Sequence, residues 1–248
     1  MSVSDSVGRE VIGNVTEIES GERSFDWRWE LAKIGLIVLF YLMAAPFFVH
    51  AIELVVAVID GEISKKPYLF ISGGTVGNTA MAVHIAAGVF LTACVPLQLV
   101  AIIRKRMNIL HRLTGYALAG LGCVTAAAGL IYIALRGTIG GTMMSVGFTL
   151  YGACLLVAAV RMLQTAISQD RKRHGEWALR FFVLAIGSWL YRLHYVLWYI
   201  ATGGIWSNPE FTGAFDKVQN FAFFLPYLAA VEVWIIYRSS KMPRPVRG

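Results

Sequence analysis

Six long apolar runs dominate this chain of 248 residues. Crossing the hydrocarbon core of a bilayer takes about 20 helical residues at a rise of about 1.5 Å each, and every run reaches that length. None shows the period-two alternation over about 10 residues that is typical of membrane barrel strands. The runs lie near residues 31–57, 76–103, 110–135, 141–166, 176–202 and 216–238.

Composition supports a membrane protein. Hydrophobic residues make up 57% of the chain and charged residues 15%, whereas a soluble domain has about 25% charged residues. The formal net charge is +7, but the basic residues lie at the ends of the apolar runs, as topology signals do. The pattern predicts an all-α integral membrane six-helix bundle whose partner is the lipid bilayer, and it does not indicate nucleic-acid binding.

The distribution of basic residues predicts the orientation of the bundle. With the N-terminus inside, fifteen lysines and arginines flank the cytoplasmic ends of the runs and four lie outside. This bias follows the positive-inside rule and places both termini in the cytoplasm. We therefore expect a polar cytoplasmic tail over 1–30, one transmembrane domain over 31–238 and a basic cytoplasmic tail over 239–248.

Small residues predict where helices approach each other closely. They are concentrated in the third and fourth runs, and such residues let helix backbones pack tightly in lipid. The pair Gly140 and Gly141 predicts a tight outer turn between these two runs. The glycines of the third and fourth runs are Gly115, Gly120, Gly122, Gly129, Gly147 and Gly152.

The five histidines fall into two layers. His50, His84 and His194 each lie about eight residues from the outer edge of their runs, which is roughly 10–12 Å deep. His111 and His174 lie at the cytoplasmic starts of the third and fifth runs. Ionisable groups inside membrane helices usually face a bundle interior, a cavity or a partner, so both layers are candidate sites.

Two imidazoles at one depth are what a bis-histidine haem requires. An inner haem b would take His111 and His174 as its iron ligands, with Arg112 and Arg180 near its propionates. An outer haem or a quinone would lie at His84, with His194 or His50 as the second imidazole. Arg192, about 15 Å deep, would supply the cation at that outer site.

Other interpretations remain open. Each histidine would equally serve as a hydrogen-bonding residue between helices, and Glu232 is expected to pair with Arg161 or Arg180. His50, His84, His194 and Glu53 would make a zinc site. Transport is a further alternative, although no pair of runs is clearly broken by glycine or proline at mid-membrane, as transporter helices often are.

Several unusual residues recur in an order that resembles a known family. These are His84 followed by Ile-Ala-Ala-Gly, Pro96-Leu-Gln, the segment Leu-His-Arg-Leu-Thr-Gly over 110–115, Gly-Gly at 140–141, Gly-Phe at 147–148, Arg-Lys-Arg-His-Gly-Glu-Trp-Ala-Leu-Arg over 171–180, and Arg192. The stretch from His84 to Arg192 resembles the bacterial multi-pass membrane proteins of domain of unknown function 2306. The first and last runs lie outside this pattern.

The resemblance implies a bacterial inner-membrane protein and a set of shared site residues. That set is His84, Gln98, His111, Arg112, His174, Trp177, Arg180 and Arg192. Our leading hypothesis is a b-type haem protein that passes electrons from a quinol or cytosolic donor to an outer acceptor, by analogy with cytochrome b561. The alternative is a non-enzymatic accessory subunit of a partner membrane protein, or a small-molecule transporter.

Overall fold

The computed structural model describes residues 27–61, 69–71, 74–100 and 106–241. All long elements in these ranges are helices, which confirms the all-α prediction. Most of the two predicted cytoplasmic tails, over 1–26 and 242–248, and three short interior segments lie outside the described residues. The helices are α1 (Trp27–Ile59), α2 (Thr75–Cys94), α3 (Asn108–Arg136), α4 (Gly141–Ile167), α5 (Arg171–Ala185), α6 (Gly187–Thr202), α7 (Ala214–Ala222) and α8 (Leu225–Ser240), with a 3-10 turn over Val95–Leu99 after α2.

Five spans are long and apolar enough to cross a membrane: α1, α2 with its 3-10 turn, α3, α4, and α7 joined with α8. The pair α5 and α6 adds a sixth if it is counted as one bent span. The described helices thus fall where the six apolar runs are, and a multi-pass membrane fold is confirmed.

Local sequence explains the helix ends. Asp170 begins α5 by accepting a hydrogen bond from the Arg173 backbone N–H at 3.0 Å, which satisfies one of the donors exposed at a helix start. Gly141 has φ 70 and donates its N–H to the Thr138 carbonyl at 3.0 Å, a conformation that glycine tolerates best. The predicted tight turn at Gly140 and Gly141 is confirmed, and its outer position stays a prediction.

Helix α4 lies at the centre of the bundle, where it packs against α3, α5 and α7. Glycines make these contacts possible, as predicted. A Cβ on Gly122 of α3 would lie 2.5 Å from the Phe181 ring of α5 and 3.3 Å from the Ala159 methyl of α4. Three helices therefore converge at Gly122, and Phe181 is completely enclosed there.

Helix α1 lies at the edge of the bundle. Only 17% of its most apolar window is buried, against 39% for α2, α3 and α4. It contacts α2 through Tyr41, whose hydroxyl donates to the Ala93 carbonyl at 2.5 Å. Against α6 it packs Ala44 onto Trp189 and Leu190. Most of its surface is therefore left for lipid or for another membrane protein.

The last two predicted runs are interrupted, although no pair of runs is clearly broken by glycine or proline in the sequence. The axes of α5 and α6 differ by 47° at Ile186. Phe223 and Phe224 separate α7 from α8. Pro226 explains the second break, because it has no N–H to donate and its ring clashes with the carbonyl four residues earlier.

Candidate functional site

The two interruptions meet at Tyr151 of α4. Its hydroxyl donates to the Leu184 carbonyl, at the end of α5, over 2.6 Å. Its ring packs against Phe223 and Phe224, with centroid distances of 4.9 and 5.4 Å. Both interrupted spans therefore lose their helical structure at one level of the bundle, which we call the break region (Tyr151, Leu184, Gly187, Phe223 and Phe224).

Side chains from other helices complete the break region. The Thr92 hydroxyl of α2 donates to the Ala185 carbonyl at 3.1 Å. A Cβ on Gly187 would lie 2.8 Å from the Tyr151 ring, so only glycine leaves room for that ring. Non-helical backbone at membrane depth persists where protein groups satisfy its carbonyls. The interruption of α5 and α6 is thus a packed structural feature.

Asn220 lies three residues before the second break and is 0% exposed. Neither its side-chain oxygen nor its nitrogen has a hydrogen-bond partner among the described residues. It packs against Gly147 of α4, whose Cβ would come within 2.6 Å of the Asn220 carbonyl oxygen. A buried amide of this kind is expected to bind water or a ligand.

Arg192 lies on α6, five residues beyond the break. Its Nη1 donates to the Ser188 carbonyl at 2.9 Å, and its guanidinium lies 5.0 Å from the Phe47 ring centroid of α1. The side chain is exposed on this surface of the bundle.

His84 joins α2 to α3. Its Nδ1 lies 2.8 Å from the Thr125 carbonyl oxygen, and the Thr125 hydroxyl donates to the His84 carbonyl at 2.8 Å. The ring packs on Gly129, where a Cβ would lie 2.7 Å from Nδ1. The close approach of α2 and α3 therefore depends on a glycine beside this histidine.

His194 joins α6 to α7 and α8. Its Nδ1 lies 3.1 Å from the Gln219 side-chain oxygen, and its Nε2 lies 2.7 Å from the Tyr227 hydroxyl. The Gln219 side-chain oxygen can only accept a hydrogen bond, so Nδ1 donates to it. In the neutral imidazole Nε2 then accepts from the Tyr227 hydroxyl. Both nitrogens of His194 are thus engaged, and the ring borders a pocket of about 340 Å³ with Trp198 and Phe215.

The inner layer contains the ion pair that the sequence predicted. Arg180 donates to Glu232 through two nitrogens, at 2.5 and 2.7 Å, and lies over the Trp177 ring at 4.6 Å. The pairing of Glu232 with one of the two expected arginines is confirmed. Arg161, the other one, instead donates to Gln164 at 3.4 Å.

The inner histidines begin α3 and α5. His174 places Nδ1 3.2 Å from the Met162 carbonyl of α4. The Gly122–Phe181 contact marks a level that α3 and α5 share. Gly122 lies eleven residues after His111 on α3, and Phe181 lies seven residues after His174 on α5. At a rise of about 1.5 Å per residue, His111 therefore lies about 6 Å farther from that level than His174 does. Arg112 beside it is exposed.

Within the described residues, no three or more histidine, cysteine or acidic side chains are arranged to hold a metal ion. His50, Glu53, His84 and His194 all lie in those residues, so the zinc alternative receives no support. Glu53 is exposed on α1.

Sequence reasoning missed Asp216 as well as Tyr151 and Asn220. Asp216 is completely buried, and its carboxylate accepts from the Tyr195 hydroxyl at 2.8 Å, the Ser207 hydroxyl at 2.7 Å and the Gly213 N–H at 2.9 Å. It therefore fixes the outer loop to α6. The one available signal was an acidic residue at the start of an apolar run, a typical helix-capping pattern.

No curated protein and no solved structure matches this chain. A family model described as predicted membrane protein, DUF2306, matches residues 81–235, more than half of the chain. The match includes most of α8, so the expectation that the last helix lies outside the family pattern was wrong, whereas α1 does lie outside. With His84 through Arg192 inside the match, the chain belongs to the DUF2306 family of membrane proteins.

Proposed function

We propose that this protein is a non-enzymatic small-molecule transporter. The observation that carries the proposal is the break region, where two neighbouring spans are interrupted at one level and meet at Tyr151. Secondary transporters commonly bind their substrates at such discontinuous helices. Asn220 and Arg192 place an amide and a cation within a few residues of the two breaks.

We place the transporter in the bacterial cytoplasmic membrane, with both termini in the cytoplasm. The fifteen inner and four outer basic residues favour this orientation. The break region then lies near the middle of the bilayer, because Ile186 is about 22–24 Å of helix from either end of its span. The largely exposed α1 leaves a surface for lipid or for a partner membrane subunit.

Uptake into proteoliposomes tests the proposal. We expect the purified protein to accumulate at least one solute from a panel of labelled carboxylates, cations and neutral sugars. Gly187→Leu should abolish that uptake, because its side chain would collide with the Tyr151 ring. Gly115→Leu is the matched control, since nothing lies within 4 Å of a Cβ at that position. Uptake equal to that of empty liposomes, or unchanged in Gly187→Leu, would contradict transport.

Haem-based electron transfer is a second candidate, and one observation favours it. His84 and His174 each direct Nδ1 to a backbone carbonyl, the arrangement that usually leaves Nε2 for a metal. For the inner haem b the ligands would be His111 and His174. Bound haem would supply one-electron transfer there.

Other contacts fit haem less well. Arg180, expected near the propionates, is engaged with Glu232, and His194 uses both ring nitrogens. A reduced-minus-oxidised visible spectrum of the purified protein decides the matter. If the protein binds haem, we expect α and Soret bands in this spectrum and their loss in His111→Ala and in His174→Ala. A folded, colourless preparation from haem-supplied cells would contradict haem, and a quinone at Arg192 would then have no redox partner in this chain.

A further inference from the structure

We propose that the pocket between α6 and α7 binds a neutral ring compound that carries a carbonyl group and enters from the lipid. The pocket has a volume of about 340 Å³. It lies beside the break region, about one turn before it on α7, and goes beyond the proposed transport function, because a ligand can bind here in a protein that moves no solute. The side chains that line this α6–α7 pocket are His194, Leu197, Trp198, Ala201, Phe215 and Gln219.

The position of the opening is the first argument. Ala201 lies two residues before Gly203, which ends α6, and His194 lies nine residues before it. At a rise of about 1.5 Å per residue, the pocket runs along α6 from roughly 3 to 13 Å before that helix end. Leu197 is 52% exposed and Ala201 is exposed as well, so the pocket opens on the side of a membrane span. A ligand dissolved in the bilayer therefore has direct access to it.

The aromatic wall of the pocket is the second argument. The rings of Trp198 and Phe215 are parallel to within 8°, and their centroids lie 4.4 Å apart. Trp198 Nε1 donates to the Ile205 carbonyl at 2.6 Å, and the Phe215 ring packs edge-on against the Tyr195 ring at 5.1 Å. Both rings are thus held in place by the protein itself. Aromatic pairs gain energy beyond the area they bury, so this wall favours a planar ring over an alkyl chain.

The buried amide of Gln219 is the third argument. Gln219 is 2% exposed and lines the pocket. Its side-chain oxygen accepts from His194 Nδ1 at 3.1 Å, and its nitrogen donates to the Tyr191 carbonyl at 3.3 Å. A primary amide has two N–H donors and two oxygen lone pairs, so within the described part of the chain one donor and one lone pair remain. A ligand carbonyl would accept from that N–H, whereas an alkyl chain would leave it unsatisfied.

The distribution of charge around the pocket is the fourth argument. No lysine, arginine, aspartate or glutamate is among the six described residues that line it. The carboxylate of α7, Asp216, accepts from the Ser207 hydroxyl and the Gly213 N–H, so it is engaged with the outer loop. Lys217 and Arg192 each lie two residues from a lining side chain, about 200° away around their helices. A charged ligand would lose its hydration without gaining a counter-charge, which favours a neutral one.

Three compounds of similar shape test the ligand class. They are 2-acetylnaphthalene, a ketone, 2-isopropylnaphthalene, which has no carbonyl, and 2-naphthoate, which is charged. Equilibrium dialysis measures their binding to the full-length protein in lipid nanodiscs, and empty nanodiscs give the partitioning into lipid that is subtracted. We expect the ketone to bind at least about threefold more tightly than the hydrocarbon, because of the added hydrogen bond. It should bind at least about tenfold more tightly than the carboxylate, which has no counter-charge in the pocket.

Two variants test the place of binding. Ala201→Phe puts a ring into the pocket from an exposed position, and it should weaken binding of the ketone by at least about tenfold. Ala117→Phe, the same change at an exposed alanine of α3, is the matched control and should bind as the unaltered protein does. Gln219→Leu should abolish the preference for the ketone over the hydrocarbon. Size-exclusion profiles and circular dichroism establish that each variant is folded.

Ketone binding that is unchanged in folded Ala201→Phe would overturn the site, even if the protein transports a solute. Equal binding of the ketone and the hydrocarbon would identify a groove for lipid chains and overturn the carbonyl ligand, and tighter binding of 2-naphthoate would overturn the neutral one. Ketone binding that is lost in Ala201→Phe, in a protein that moves no solute across proteoliposomes, would contradict transport and leave the site standing. The two failures are therefore distinct.

Discussion

At the scale of single residues, several polar groups within the bundle are engaged with specific partners on other helices. The Tyr151 hydroxyl donates to the Leu184 carbonyl near the end of α5, and Arg180 pairs with Glu232. His84 binds the Thr125 carbonyl. Such partners matter more in a bilayer than in water, because lipid offers no alternative hydrogen bond.

Loss of the Tyr151 hydroxyl is expected to destabilise the protein. Tyr151→Phe removes the hydroxyl that donates to the Leu184 carbonyl, and loss of this buried hydrogen bond is expected to cost about 0.5–1.5 kcal/mol in the free energy of unfolding. Thermal unfolding in detergent, followed by tryptophan fluorescence, measures this change. Tyr116→Phe on α3 is the control, because that side chain is 40% exposed. Equal melting temperatures for the two variants would contradict the role assigned to the hydroxyl.

The second prediction concerns the contribution of the Arg180–Glu232 ion pair to stability. Glu232→Gln leaves the guanidinium, 17% exposed, without its counter-charge, and we expect a loss of about 1–3 kcal/mol. Replacement of both partners, in Arg180→Met with Glu232→Met, should recover part of that loss, because no charge is then left unpaired. Denaturant unfolding of the single and double variants gives the comparison, and a double variant less stable than the single one would refute the argument.

At the scale of elements, the sequence predicted the spans but not their interruptions. The spans follow from the length of the apolar runs, and the outer turn follows from Gly140 and Gly141. Gly187 resembles any other helical glycine, because its role depends on the Tyr151 ring, 36 residues earlier in the chain. The engagement of both His194 nitrogens likewise depends on the relative rotation of three helices, which no local pattern encodes.

Helix packing gives a matched pair of glycine substitutions on α3. Gly122→Ala places a methyl group 2.5 Å from the Phe181 ring at the junction of three helices, so we expect a destabilisation of about 1–3 kcal/mol. Gly120→Ala, two residues away, meets open space and should be neutral or slightly stabilising. Thermal unfolding of both variants tests the packing, and a similar loss in both would show that helix propensity, not Phe181, decides the outcome.

At the scale of the whole molecule, the charge asymmetry of the sequence predicts the orientation in the membrane. We expect a membrane-impermeant maleimide to label Ile139→Cys, in the turn between α3 and α4, in intact cells. Lys172→Cys, at the start of α5, should react only after the membrane is permeabilised. Replacing the native Cys94, Cys123 and Cys154 removes background labelling. The opposite labelling pattern would reverse the topology.

Side-chain contacts between helices join the two interrupted spans separately on each side of the break region. Arg180 and Glu232 join α5 to α8 below the break region, while His194 with Gln219, and Tyr195 with Asp216, join α6 to α7 above it. His194 also bonds Tyr227 of α8, three residues past the second break. Each half of one interrupted span is thus joined to the matching half of the other, on either side of Tyr151. In the proposed transporter we expect α5 and α8 to move together, because the Arg180–Glu232 pair joins them.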